Sequence, residues 1–118
     1  DPMSITRLHS NERMSAAALF GQLVFLSGQV PTQARDIREQ TREVLDKIDA
    51  LLAEAGSDKR QLLSATVYLK DIASDFEAMN EVWSAWLAPG HAPTRTTVQA
   101  ELARPGVRVE ITVIAVRG

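Results

Sequence analysis

Alternation of apolar and polar residues predicts three short strands at the start of the chain. The alternation is weak over residues 4–9 and 15–20, and a stronger apolar run covers residues 23–27. Gly21-Gln22 separates the second and third segments and is typical of a tight turn. We therefore expect this opening region to form a meander of neighbouring strands.

A helical period replaces the alternation from residue 36 to residue 55. Apolar residues recur at Ile37, Val44, Leu45, Ile48, Leu51 and Leu52, with charged residues between them. Gly56 predicts the helix end, because glycine readily adopts the left-handed cap conformation. Residues 62–69 then alternate as a fourth strand. The order strand, helix, strand predicts a parallel crossover.

A second helix is indicated by a capping pattern and an apolar face. Ser74 is followed three residues later by Glu77, which matches a capping box with Ser74 as the cap. The apolar face consists of Phe76, Met79, Val82, Trp83 and Trp86. The helix is expected to end before Pro89-Gly90 and to use its aromatic residues for packing.

The last two strands are predicted at residues 94–102 and 107–116. Arg104-Pro105-Gly106 is the only sharp turn signal in this stretch, which favours an antiparallel hairpin. Arg95 would then lie on the first arm and Glu110 on the second.

These elements give the order βββαβαββ and an α+β fold: one six-stranded mixed sheet with both helices packed on one face. The other face of the last strand would carry Glu110, Ile114 and Val116, so it still contains apolar residues. Contact with neighbouring subunits would cover them, and we expect an oligomer. Residues 1–118 are interpreted as one domain, with Asp1-Pro2 as a tag remnant before Met3.

Composition narrows the classes of function. The formal net charge is -2 and the basic residues are scattered, which argues against nucleic acid as the main partner. The chain has no cysteine, hence no thiolate nucleophile and no disulfide. Its two histidines lack metal-ligand spacing, so no metal is expected. Without a membrane-length apolar run or a signal-peptide pattern, we expect a cytoplasmic protein that does not bind membranes.

Arg95 and Glu110 are the residues that suggest chemistry. A guanidinium can bind a carboxylate with two parallel hydrogen bonds, and a nearby carboxylate can handle a proton or a water molecule. The pair therefore suggests a small carboxylic acid as substrate. The alternatives are a surface role for Arg95, and a structural ion pair of Glu110 with Arg108, Arg95 or a lysine of a neighbouring subunit.

Five ordered blocks of sequence resemble the RidA (YjgF) family of reactive intermediate deaminases, and more narrowly its YoaB-like branch. The blocks are Leu26-Ser27-Gly28-Gln29-Val30-Pro31, Ala65-Thr66-Val67-Tyr68-Leu69-Lys70-Asp71, Asp75-Phe76-Glu77-Ala78-Met79-Asn80, His91-Ala92-Pro93-Thr94-Arg95-Thr96-Thr97-Val98 and Val109-Glu110-Ile111. The resemblance implies a chorismate-mutase-like fold, a homotrimer with clefts between subunits, and no cofactor. It also implies hydrolysis of 2-aminoacrylate and 2-iminopropanoate to 2-oxo acids and ammonia.

The resemblance assigns catalytic roles to two residues. Arg95 falls on the arginine that binds the substrate carboxylate, and Glu110 on the glutamate that positions the attacking water. Thr97 aligns with a residue whose main chain contacts the substrate. The family frequently has cysteine at the Thr97 position, so this chain lacks any thiol chemistry there.

Four further residues are implied to lie in the substrate pocket. Ser27 and Gly28 align with its wall, and Asn80 with a polar position of the second helix near the cleft. Met14 replaces a common tyrosine, which bears on substrate preference. Structural alternatives are a simple turn at Ser27-Gly28 and a solvent-facing Asn80.

Two other functions are compatible with the same residues. A binding protein could hold a 2-oxo acid or related carboxylate at Arg95 without turnover. An RNA-cleaving translation inhibitor, an activity that the resemblance also includes, is disfavoured by the absence of a basic patch.

Overall fold

The computed structural model of the protein describes residues 3–33 and 35–118. The strands are β1 (Ile5–Leu8), β2 (Ala17–Phe20), β3 (Leu23–Leu26), β4 (Leu62–Leu69), β5 (Thr94–Gln99) and β6 (Val109–Val116). The helices are α1 (Ile37–Glu54) and α2 (Ile72–Trp86), with a short 3₁₀ turn at Lys59–Gln61. This order confirms the predicted βββαβαββ arrangement. Asp1-Pro2, the predicted tag remnant, lies outside the described residues.

All six strands belong to one mixed sheet with the order β1-β2-β3-β6-β4-β5. β6 runs antiparallel to both β3 and β4, whereas β4 and β5 are parallel. Both helices therefore connect parallel strands, as predicted for α1. The α1 crossover passes over β6, and the α2 crossover joins adjacent strands.

The predicted hairpin of the last two strands is wrong, because β4 lies between β5 and β6. The reason lies in the composition of the two strands. β6 carries apolar residues on both faces, which suits a central strand with a neighbour on each side. β5 contains three threonines and a glutamine and forms one edge of the sheet. Arg95 and Glu110 are thus not on adjacent strands.

The core lies between the helices and one face of the sheet. Alternate residues of β4 and β6 point into it, including Val67, Leu69, Ile111 and Val113, all fully or almost fully buried. Asp36 caps α1 through a capping box with Glu39. After α1, Gly56 has φ +81, which confirms the predicted left-handed end.

α2 begins earlier than the capping pattern predicted. Its cap is Asp71, whose carboxylate accepts a hydrogen bond from the backbone N–H of Ser74 at 3.2 Å, so the assignment of Ser74 as the cap is wrong. The earlier start puts Asp75 in the first helical turn, where it is buried. There its two oxygens accept hydrogen bonds from Arg108 at 2.9 and 2.8 Å. This ion pair fixes α2 against the start of β6.

The second face of the sheet carries no helix in the part of the chain that the structure describes. Phe20, Leu23 and Phe25 lie on it with 39%, 37% and 42% of their surface exposed. In the register, Leu23 pairs with Val116 and Phe25 with Ile114, so the apolar surface continues onto β6. Separately, neither helix is long and apolar enough to cross a membrane.

Candidate active site

Arg95 lies on the helix-covered face of the sheet, at its edge. In the parallel register it pairs with Ala65, a buried residue of β4, so both side chains point towards α2. The guanidinium carbon is 5.5 Å from the ring centroid of Trp83 and 6.0 Å from that of Phe76. Its Nη1 is 4.0 Å from the sulfur of Met79. Partial burial lowers the pKa of Arg95.

No carboxylate within residues 3–33 and 35–118 pairs with this guanidinium. A partly desolvated charge is costly unless something neutralises it. The Arg95 side chain is therefore not fully exposed to solvent, since it is half-buried against aromatic rings. An unneutralised guanidinium in this position is suited to bind an anion.

Thr97 lies near Arg95 on β5, and Asn80 lies on α2, the helix that Arg95 contacts. Thr97 lies two residues further along β5 and faces the same side, opposite the buried Val67. Its hydroxyl is buried and is unpaired with respect to the described residues. Asn80 follows Met79 on α2 and lies one helical turn from both Phe76 and Trp83. Arg95, Thr97 and Asn80 form what we call the cation half-site.

Glu110 lies on the opposite, helix-free face of the sheet. It pairs with Tyr68 of β4, which alternates with the buried Val67 and Leu69. Its carboxylate lies against the backbone of Gly28: a Cβ atom at that glycine would be 2.0 Å from Oε2. Gly28 therefore permits a close approach that no other residue would allow without moving the carboxylate.

Glu110 forms no ion pair with any residue that the structure describes. Arg108 is bound by Asp75, and Arg95 lies on the other face. The alternative in which Glu110 pairs with one of these arginines of its own chain is therefore wrong.

Ser27 directly precedes Gly28, and its hydroxyl ties this segment to the loop that contains Met14. The hydroxyl of Ser27 donates a hydrogen bond to the carbonyl of Ser15 at 2.5 Å, which ties the end of β3 to the loop before β2. In that loop the Asn11 side chain accepts hydrogen bonds from the backbone N–H groups of Arg13 and Met14. Met14 itself is 52% exposed. Its side chain is therefore available to a neighbouring molecule.

An open cleft of about 440 Å³ lies beside Glu110, and Gly28, Tyr68 and Thr112 line part of it. This volume falls within the range of small-molecule sites. Gly28 and Glu110, together with this cleft, form what we call the acid half-site, whereas Ser27 and Met14 do not line the cleft. Tyr68 and Thr112 were not predicted from sequence, although their alternation with buried neighbours places them on the same face as Glu110.

The two half-sites lie apart within one chain. Arg95 pairs with Ala65 and Glu110 with Tyr68, three residues further along β4 and on the other face. Three residues span about 10 Å along a strand, and the sheet itself separates the two side chains. A single chain therefore cannot bring both charges to one small carboxylic acid.

A larger cavity, of about 850 Å³, lies between the start of α2 and the segment before β6. Two ion pairs, Arg108–Asp75 and Lys70–Glu101, are part of its wall. Because these charges are bound to one another, they offer less to a ligand than Arg95 does. In the described ranges, no group of three His, Asp or Glu side chains is placed to hold a metal ion.

Fold and site together define an α+β protein with a chorismate-mutase-like sheet and, at its edge, an arginine that no carboxylate of the described residues neutralises. The family model described as endoribonuclease L-PSP matches residues 4–117. The RutC family protein YoaB of Escherichia coli is 41% identical over 113 residues, covering 96% of this chain and 98% of the relative. A RutC family protein of Haemophilus ducreyi is 42% identical over 112 residues, covering 94% and 95%.

A crystal structure of a YjgF family protein from Neisseria meningitidis has a TM-score of 0.97 to this chain and is 46% identical, covering 100% of this chain and 98% of the other. The chain therefore belongs to the endoribonuclease L-PSP family, also called YjgF, with RutC family proteins such as YoaB among its relatives. This finding confirms the resemblance drawn from the five sequence blocks.

Proposed function

We propose that the protein is an enamine/imine deaminase that converts 2-aminoacrylate and 2-iminopropanoate into a 2-oxo acid and ammonia. The observation that carries this proposal is the half-buried guanidinium of Arg95, which no described carboxylate neutralises. A substrate carboxylate would supply the missing charge and accept two parallel hydrogen bonds. The substrate class is thus a small 2-imino or 2-enamino acid.

The proposed active site combines the cation half-site of one subunit with the acid half-site of the next, in a homotrimer. Two observations support this assembly. Arg95 and Glu110 lie on opposite faces of one sheet. The face of Glu110 also carries Phe20, Leu23 and Phe25, whose exposure a neighbouring copy would reduce.

In this site Arg95 would bind the carboxylate and leave C2 of the imine open to attack. The enamine first takes a proton at C3 and becomes the imine. Glu110 would accept a proton from a water molecule as the water oxygen bonds to C2, which gives a tetrahedral aminoalcohol. Glu110 then passes that proton to nitrogen, and ammonia leaves as the carboxylate takes up the hydroxyl proton and the C2 carbonyl forms. Positioning alone contributes much of the acceleration, because the substrate is intrinsically labile.

Ser27 and Gly28 would form the pocket wall beside Glu110, with Met14 over its entrance. Thr97 would offer its main chain, and Asn80 a polar group, beside Arg95. The reaction is a proton transfer followed by addition of water, so the proposal assigns no cofactor. We further propose a cytoplasmic protein whose partners are this substrate and its own copies, with no nucleic acid and no membrane.

A non-catalytic binder of 2-oxo acids is the second candidate, because the same Arg95 geometry favours carboxylate binding without requiring turnover. RNA cleavage, the activity named in the description of the family, finds less support in a chain of net charge -2.

The test is to generate 2-iminopropanoate in place with an amino-acid oxidase and to follow its decay with and without the protein. We expect accelerated decay that Arg95→Ala abolishes and Arg95→Lys restores poorly, because a point charge lacks the planar fork. Activity of Arg95→Ala within about a factor of two of wild type would contradict the assignment, since a lost charge-assisted pair should cost far more. Saturable pyruvate binding without faster decay would select the binder, and RNA cleavage that depends on Arg95 would select the nuclease.

A further inference from the structure

Two arginines lie against neighbouring residues of α2, and the helix holds them in different ways. Asp75 binds Arg108 through both of its oxygens, at 2.9 and 2.8 Å, and this hydrogen-bonded pairing raises the pKa of Arg108. Phe76, the next residue, lies instead near the guanidinium of Arg95. The first arginine is neutralised by its partner, whereas no carboxylate of the described residues neutralises the second.

The Arg95 guanidinium is close to two aromatic rings and one sulfur atom. Its carbon lies 5.5 Å from the Trp83 centroid and 6.0 Å from the Phe76 centroid, within the range of cation–π attraction. The Met79 sulfur, 4.0 Å from Nη1, is only a weak acceptor. None of these contacts provides a negative charge, so they attract the cation without satisfying its strong donors.

The helix period and the small size of Ala65 make this arrangement possible. Phe76, Met79 and Trp83 are spaced by three and four residues, so they lie on one face of α2. Ala65, opposite Arg95 on β4, leaves room for the arginine side chain to cross towards that face. Trp83 is 5% exposed and anchors the face, whereas Phe76 is 39% exposed and lies at its rim.

We propose that Phe76 and Trp83 act as positioning residues that hold the guanidinium of Arg95 through its π-facing surface and leave its N–H donors free for a carboxylate. This inference rests on the proposed function only for the nature of that ligand. An acidic partner would have held the arginine equally well but would have competed with the substrate. The aromatic rings fix the orientation without that competition.

The test uses Phe76, because a partly exposed side chain can be changed with little effect on folding. Phe76→Leu removes the ring and keeps an apolar side chain of similar size. Phe76→Tyr keeps the ring and serves as the matched control. Affinities for pyruvate and for its neutral methyl ester are measured by titration calorimetry on all three proteins.

We expect Phe76→Leu to weaken pyruvate binding about 3- to 30-fold, which is the range of a cation–π contact expressed as affinity. Methyl pyruvate should bind the Leu variant as it binds wild type, and Phe76→Tyr should bind both ligands like wild type. Equal losses for the acid and the ester would show that Phe76 only shapes the pocket and would overturn the proposal. Unchanged pyruvate affinity in Phe76→Leu would also overturn it.

A second measurement follows the arginine itself and needs no ligand. The ¹⁵N–¹H resonance of Arg95 Nε, assigned by its absence in Arg95→Lys, should be shifted by the ring currents of both aromatic residues. Phe76→Leu should move this resonance towards the position typical of a free arginine, and an unmoved resonance would refute the contact. If wild type binds pyruvate but does not hydrolyse imines, the proposed function fails while both of these tests still decide the positioning role.

Discussion

Gly28→Ala is a substitution that should disable catalysis while leaving the fold intact. A Cβ atom at this position would lie 2.0 Å from Glu110 Oε2 and 2.9 Å from its Cδ. Ordinary contacts begin at 3.4 Å, so the carboxylate oxygen has to move by about 1.4 Å. A displacement of about 1 Å in a reacting group costs on the order of 10²-fold in rate, and we expect a loss of kcat at least that large.

Stability should change little in the same variant. The backbone of Gly28 is not among those with positive φ, so alanine fits its conformation without strain. The obstructing atoms belong to the end of a half-buried side chain, which can rotate away. We therefore expect a free energy of unfolding within about 1 kcal/mol of wild type. Pyruvate affinity should also persist, because Arg95 is unaffected.

Gly56→Ala is the matched control, with the opposite outcome. Gly56 ends α1 at φ +81, and a Cβ there would meet nothing within 4 Å. Alanine should lose about 1–2 kcal/mol from backbone strain and retain full kcat. Urea unfolding and imine-decay assays on both variants give the comparison. Gly28→Ala with wild-type kcat, or with kcat and pyruvate affinity lost in parallel, would refute the assigned role of the Glu110 position.

Three further predictions follow from the same geometry. Glu110→Gln should lower kcat about 10²- to 10⁴-fold while pyruvate affinity is retained, since glutamine cannot accept the proton of water. Parallel losses of kcat and of pyruvate affinity would assign Glu110 a structural role. Sedimentation should detect a trimer, and Phe25→Glu should yield inactive monomers because it places a charge on the apolar face. A wild-type protein that is monomeric and fully active would contradict the proposed trimer. Asp75→Asn should lower the free energy of unfolding by about 2 kcal/mol, as it breaks a pair with one buried partner, and an unchanged urea midpoint would contradict this.

Local patterns were sufficient to predict most elements of the fold. The α1 helix, the alternation of β4 and the left-handed end at Gly56 each depend on residues close in sequence. The start of α2 was missed because Asp71 and Ser74 are both good caps three residues apart. The earlier start of α2 goes together with the buried contact between Asp75 and Arg108. These two residues are distant in sequence, so a local pattern could not predict their contact.

The pairing of the last strands could not be predicted from the turn between them. Arg104-Pro105-Gly106 indicates that the chain changes direction between β5 and β6. It does not indicate that β4 lies between these two strands in the sheet. One signal was present: β6 carries apolar residues on both faces, which is typical of a central strand. The opposite orientations of Arg95 and Glu110 depend on this register, so the division of the site into two halves was visible only in three dimensions.

Subunit complementation tests the central claim most directly. Arg95→Ala and Glu110→Gln subunits with different affinity tags are co-expressed, and mixed trimers are isolated by successive purification on both tags. Each variant alone should be nearly inactive towards 2-iminopropanoate. A mixed cyclic trimer has one interface that joins an intact Arg95 to an intact Glu110, so it should recover about one third of wild-type activity. Mixed trimers as inactive as the separate variants would contradict a deaminase site shared between neighbouring subunits.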